Sequence, residues 1–164
     1  MEGLFNRGPG LKDFFSEEKL EAARKAVEET ESGLVVVYGT GASYITYGDV
    51  YVYFDMARWE IQLRYRAGMP NWNCSNTGDP VLSKYKRGFF IEWRLADRYK
   101  KERFQRFDYV VDTNERNNPK MITGEAFREA LCRVSSEPFR LQPYFDPVGR
   151  TVDENQIRSG PVGR

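Results

Sequence analysis

Residues 34–38 read Leu34-Val35-Val36-Val37-Tyr38, five apolar residues in a row with three β-branched positions and no charge. A short continuous run of this kind, bounded by Gly33 and Gly39, is the pattern of a strand covered on both faces of a parallel sheet. Working outward, a helix is expected on its N-terminal side. Ser16 is a good N-cap, Glu17 and Glu18 complement the positive end of the helix dipole, Phe15 can staple to Leu20, and Leu20, Ala23 and Val27 recur at helical spacing until Gly33. The first ten residues hold three glycines and a proline and read as a flexible lead-in.

On the C-terminal side, Val50 to Phe54 is a second strand ending at Asp55, and Arg58 to Ala67 is a helix closed by Gly68. Met69 to Gly78 has the asparagine-rich composition of a loop without a core of its own. Asp79 and Pro80 start a long helix through about Arg103, with Leu82, Tyr85, Phe89, Trp93 and Ala96 as its apolar stripe. Phe107 to Val111 is a third strand ending at Asp112, and Thr123 caps a last helix carrying Phe127, Ala130, Leu131 and Val134. Strands alternating with helices predict an α/β fold, a parallel sheet with crossover helices. Three strands are few for that class, and a central strand such as 34–38 needs neighbours on both sides.

The 164 residues allow one domain with a sizeable core. The net charge of +1 hides a division. Ala57 to Arg106 carries twelve Lys and Arg against five Asp and Glu, a net of +7, and the remainder carries 13 against 19, a net of −6. A basic centre in an acidic frame attracts anions. The absence of histidine removes Ser-His-Asp and Cys-His nucleophilic arrangements and the His-containing zinc sites. Cys74 and Cys132 stand too far apart for a zinc knuckle and read as reduced thiols, and with no membrane span or secretion signal the expected compartment is the cytoplasm.

Candidate binding residues follow from this charge pattern. Arg58, Arg64 and Arg66 lie on the helix after the second strand, followed by the polar loop and then by Arg87 and Arg94 on the long helix. That order suits a lid whose arginines close over a polyphosphate with charge-assisted bonds. The bland alternative is a set of surface charges whose stems cover the aromatic stripe. Asp55 and Asp112 end predicted strands, where ligands of open α/β sheets gather and a metal or nucleotide contact is conceivable, although a capping or turn role is the stronger explanation of an aspartate there. Gly39-Thr40-Gly41-Ala42-Ser43 follows a strand but has no lysine to make it a phosphate loop. Basic residues interleaved with rings over 80–103 leave nucleic-acid binding as the weaker alternative, an amphipathic helix being the simpler explanation. No catalytic residue and no metal site is expected.

Several longer strings resemble a known family. They are Leu11-Lys-Asp-Phe-Phe-Ser-Glu-Glu-Lys-Leu20, Val35 to Ser43, and Val52 to Arg64 (Val-Tyr-Phe-Asp-Met-Ala-Arg-Trp-Glu-Ile-Gln-Leu-Arg). Further along come Lys84-Tyr-Lys-Arg-Gly-Phe-Phe-Ile-Glu-Trp-Arg94, Asp97-Arg-Tyr-Lys100, Pro119-Lys-Met-Ile-Thr-Gly-Glu125 and Pro138-Phe-Arg-Leu-Gln-Pro-Tyr-Phe-Asp-Pro147. In this order they resemble the N-terminal region of long bacterial class I mannose-6-phosphate isomerases, where a uridine-kinase-like domain precedes the isomerase. The resemblance implies that 11–137 is the C-terminal half of a P-loop kinase-like domain with a helical lid, in which Arg64 and Arg66 match the lid arginines. It implies that 138–147 leads toward an absent isomerase domain and that 148–164 is an irregular tail. The phosphate loop with ATP and magnesium, and the zinc site that converts mannose 6-phosphate to fructose 6-phosphate, would then belong to the missing parts of the parent. This chain is expected to be inactive alone, open to a phosphate or nucleotide ligand and to self-association.

Overall fold

In a computed structural model of the chain, which describes residues 9–138, the sheet is built on Val52–Asp55 and not on Leu34–Tyr38. Strand β1 (Val52–Asp55) pairs in parallel with β2 (Tyr109–Asp112), in a register that sets Val52 opposite Tyr109 and Asp55 opposite Asp112. Between them the chain makes the crossover expected of a parallel pair. Helix α2 (Arg58–Arg66) is followed by α3 (Val81–Arg87), a π-helical turn (Gly88–Glu92) and α4 (Trp93–Arg103). A third strand, β3 (Lys120–Thr123), runs antiparallel to β2, so the protein is mixed α/β with a small mixed sheet in the order β1-β2-β3.

Two expectations are corrected here. The all-parallel sheet fails at β3, because the chain returns to β2 within the short, asparagine-rich segment 113–119, where Asn117 has φ +61°. A reversal that short permits only an antiparallel neighbour. β3 is four exposed residues without alternation, which left no periodic signal. The second correction is the opening stretch itself. Leu34–Tyr38 lies in no strand and makes no backbone hydrogen bond to another described residue, and Leu34 and Tyr38 are 91% and 90% exposed. β-propensity measures fit to a neighbouring pleated surface, and none of the described strands lies beside it.

Local signals fared better. Helix α1 (Glu17–Glu28) is capped by Ser16, whose Oγ accepts from Lys19 N at 3.4 Å, and Thr123 Oγ1 accepts from Ala126 N at 3.2 Å at the start of α5 (Gly124–Ser136). Gly124 is required there. A Cβ would stand 1.6 Å from the Phe107 carbonyl oxygen, and its N–H donates to Asp108 O at 2.7 Å.

The long helix expected through Arg103 is interrupted. The π turn inserts a wider step, so the buried positions run Lys84, Gly88, Trp93, then Leu95, Tyr99 and Arg103, and the predicted stripe is only partly inside. Leu82, Phe89 and Ala96 face solvent. Below α4, Leu11, Leu95 and Tyr99 form a core with Phe15, Tyr44, Tyr53 and Trp72 against it. The fully buried Phe107 stacks on Tyr53 with ring centroids 4.4 Å apart, meets Tyr51 edge-on and lies tilted against Phe127.

The chain divides into two compact units, Met1–Leu131 and Cys132–Arg164, and the described part of the second is helical through Ser136. Most of the expected lead-in (1–8), nearly all of the expected linker and the whole expected tail (139–164) lie outside the described residues.

Candidate functional site

Helix α2 starts three residues after β1 ends, which brings its arginines near the carboxyl ends of the parallel strands. Arg64 is the most enclosed of them. Its Nε donates to Glu60 Oε1 at 2.7 Å, and its Nη2 donates to the Thr113 carbonyl at 2.6 Å, one residue past Asp112. Thr113 in turn joins the strand ends, its N–H and Oγ1 both donating to Asp55 O, at 3.0 and 2.7 Å. Asp55 is ion-paired with Lys100, whose ammonium also lies over the Tyr53 and Phe127 rings. The Asp112 carboxylate accepts from Asn114 N at 2.8 Å, a turn of its own making. Arg64, Asp55 and Asp112 therefore gather at one end of the sheet, with Arg64 and Asp55 held by protein partners.

The other candidates are dispersed. Arg58 pairs with Asp97 and sits 5.7 Å from the Trp93 ring centroid. Arg87 Nε donates to Glu92 Oε1 at 3.0 Å. Arg66 and Arg94 are exposed and form no ion pair with a described residue.

The polar loop between α2 and α3 is anchored. Asn71 is 2% exposed, and its amide nitrogen reaches Tyr65 Oη at 3.1 Å, Lys84 O at 3.1 Å and Glu92 Oε2 at 3.0 Å. Asn71 and Asn76 also bond reciprocally, N–H to Oδ1 and Nδ2 to Oδ1, both at 2.9 Å. Tyr65 donates to the same Glu92 oxygen at 3.0 Å, and burial followed by the Glu92 charge pushes its hydroxyl above its ordinary value. The buried Lys84 ammonium donates to Thr77 O at 3.1 Å. Gly88 opens the π turn where a Cβ would crowd Tyr65 Oη and the Trp93 ring at 3.1 Å. Each member of this network was in view in the sequence, but its assembly was not. The one available signal was Trp72 among the asparagines, since a ring inside a polar loop needs a surface to cover; it packs on Phe14 and Phe15.

A second buried network fixes the Gly39–Ser43 loop. Ser43 Oγ lies 2.6 Å from Tyr99 Oη and accepts from Arg103 Nε at 2.6 Å, and Arg103 is held between the Tyr44 and Tyr99 rings. The N–H groups of Ala42, Ser43 and Tyr44 donate to Gly39 O, Tyr99 Oη and Gly41 O. Amides committed in this way are not offered to a phosphate. The sequence has no histidine, and no group of three or more Cys, Asp or Glu able to hold a metal occurs among the described residues. Both cysteines are free thiols. No helix among the described residues is long and apolar enough to cross a membrane.

An apolar surface is also open among the described residues. Val35, Val36, Val37 and Tyr38 join Ala23, Ala26, Val27 and Ile45 around a groove of about 370 Å³ between the 34–38 segment and α1.

The fold and these contacts define a mixed α/β domain with internally hydrogen-bonded polar clusters and an exposed apolar segment. Residues 6–136 match a family described as a domain of unknown function (DUF8485), and the chain belongs to that family. No curated protein and no solved structure matches it.

Proposed function

We propose that this domain is a polypeptide-docking module that self-associates through Leu34–Tyr38. The observation that carries the reading is a run of five apolar residues, in no helix or strand, whose backbone makes no hydrogen bond to another described residue. Such a segment offers a row of donors and acceptors, and it holds none of the charged or proline residues that usually blunt an exposed edge. Full burial of a Leu or Val side chain is worth about 1.5–3 kcal/mol, so covering Leu34, Val36 and Tyr38 stabilises a complex by several kcal/mol before the cost of association. Sedimentation velocity over a concentration series tests this. The wild type is expected to associate, and Val36→Glu, a change at an exposed position, is expected to abolish association with an unchanged circular dichroism spectrum. A wild-type chain that stays monomeric at high concentration refutes the reading.

For the origin of the module, we propose the kinase-like region of the isomerase architecture that the sequence resembles. The parallel β1–β2 pair, its helical crossover and the position of Arg64 past the strand ends support this. Phosphate or nucleotide affinity would then rest on Arg66 and Arg94, and sugar-phosphate isomerisation on other residues of the parent protein.

A further inference from the structure

We infer that the counter-surface for Leu34–Tyr38 is the exposed stripe Leu82, Lys86, Phe90 and Arg94 on a second copy of this chain, an inference that rests on the docking reading above. The four residues recur every fourth position across α3, the π turn and α4, and all are exposed, Leu82 and Phe90 at 63% and 62%. Phe89 meets Phe90 edge-on with centroids 5.1 Å apart and widens the apolar part. Lys86 and Arg94 form no ion pair with a described residue.

The two patches are opposite in charge. Leu34, Val36 and Tyr38 follow Glu28, Glu29 and Glu31, all exposed; Glu28 and Glu31 form no ion pair with a described residue, and Glu29 has only a solvent-exposed contact to Lys25 at 3.5 Å. The same polarity runs through the whole chain, +7 over 57–106 and −6 elsewhere. Pairing the 34–38 segment with itself leaves the glutamates of both copies without cations. Docking it on the stripe places apolar on apolar and carboxylate near Lys86 and Arg94, which favours encounter and register. Single-stranded nucleic acid also suits rings beside cations, but it leaves the acid-flanked segment uncovered. Each copy carries one of each patch, so the contact either closes a dimer by pairing reciprocally about a two-fold axis or runs head to tail into larger assemblies.

The test uses the full chain at low salt in sedimentation velocity. The double variants Lys86→Glu with Arg94→Glu, and Glu28→Lys with Glu31→Lys, are each expected to weaken association about tenfold or more, as is ~0.5 M salt for the wild type. An equimolar mixture of the two variants is expected to restore association, since each then presents the charge that the other needs. If the Lys86/Arg94 variant associates as the wild type does while Val36→Glu does not, the stripe is the wrong counter-surface and the docking reading survives. A monomeric wild type overturns both. A monomer that instead binds an RNA oligonucleotide, with binding lost in the Lys86/Arg94 variant, makes the stripe a nucleic-acid interface and overturns the inference.

Discussion

Asn71→Ala tests whether the segment between α2 and α3 is held or free. The substitution removes a bond to the Glu92 carboxylate at 3.0 Å, bonds to Tyr65 Oη and Lys84 O at 3.1 Å, and the 2.9 Å bond that Oδ1 accepts from Asn76. A bond to a charged group contributes about 1.5–3 kcal/mol and a neutral one about 0.5–1.5. The three contacts share two amide protons and therefore do not add fully. Lys84 O keeps its bond from Gly88 N and Glu92 keeps Tyr65, whereas Asn76 Nδ2 loses its partner. The expected loss is about 3 kcal/mol, a fall in Tm of about 10 °C for a domain of this size. Urea unfolding followed by circular dichroism measures it, and an unchanged urea dependence would show that the midpoint shift is a stability change. Asn71→Asp, nearly isosteric, removes the amide donor and sets a second carboxylate against Glu92, so its loss at neutral pH should exceed that of the alanine variant. A loss below about 1 kcal/mol for the alanine variant would refute the anchored-loop account.

Two further outcomes follow from the geometry. Gly124→Ala puts a methyl group 1.6 Å from a backbone oxygen that cannot yield without shifting β2 against α5, so a loss above about 3 kcal/mol is expected in thermal melts; a loss under 1 kcal/mol would contradict the close approach. The hydroxyls of Tyr51, Tyr53 and Tyr65 are all held above the ordinary value near 10, by burial first and then by Tyr99, Asp55 and Glu92 respectively. With folded values raised, their contribution is fully present below pH 10 and is lost as pH climbs, because the unfolded chain releases those protons first. Stability should be flat for these groups up to about pH 10 and fall above it, and absorbance near 295 nm should show phenolate signal released only on unfolding. Complete titration of all tyrosines in the folded state near pH 10 would contradict this.

Features decided by a few adjacent residues were legible in the sequence. Ser16 and Thr123 cap helices where expected, and α2 ends as its Gly68 indicated, with Met69 N on Arg64 O at 2.8 Å and Gly68 N on Tyr65 O at 3.2 Å. What the sequence concealed depends on residues far apart. Leu34–Tyr38 has every local mark of a strand and lacks a described neighbour to pair with, while β3 has few marks and is a strand because Tyr109–Asp112 lies beside it. The candidate site divides in the same way. Charge count found Arg64 and strand-end position found Asp55, and neither could show that Glu60, Thr113 and Lys100 already engage them. Lys84 reads as surface and is buried, since its ammonium meets the Thr77 carbonyl across a loop whose path no periodicity encodes.

The π turn at Gly88–Glu92 makes the length of this helical stretch indivisible. Successive α-helical residues are separated by about 100° around the axis, so deleting one residue there would yield a smoother helix and rotate everything beyond it by that angle. Tyr99 and Arg103 would swing away from Ser43, and Lys100 from Asp55, while Lys84 and Tyr85 stayed in place. Relatives that keep these distant contacts should therefore tolerate substitutions within the turn far more readily than a change in its residue count.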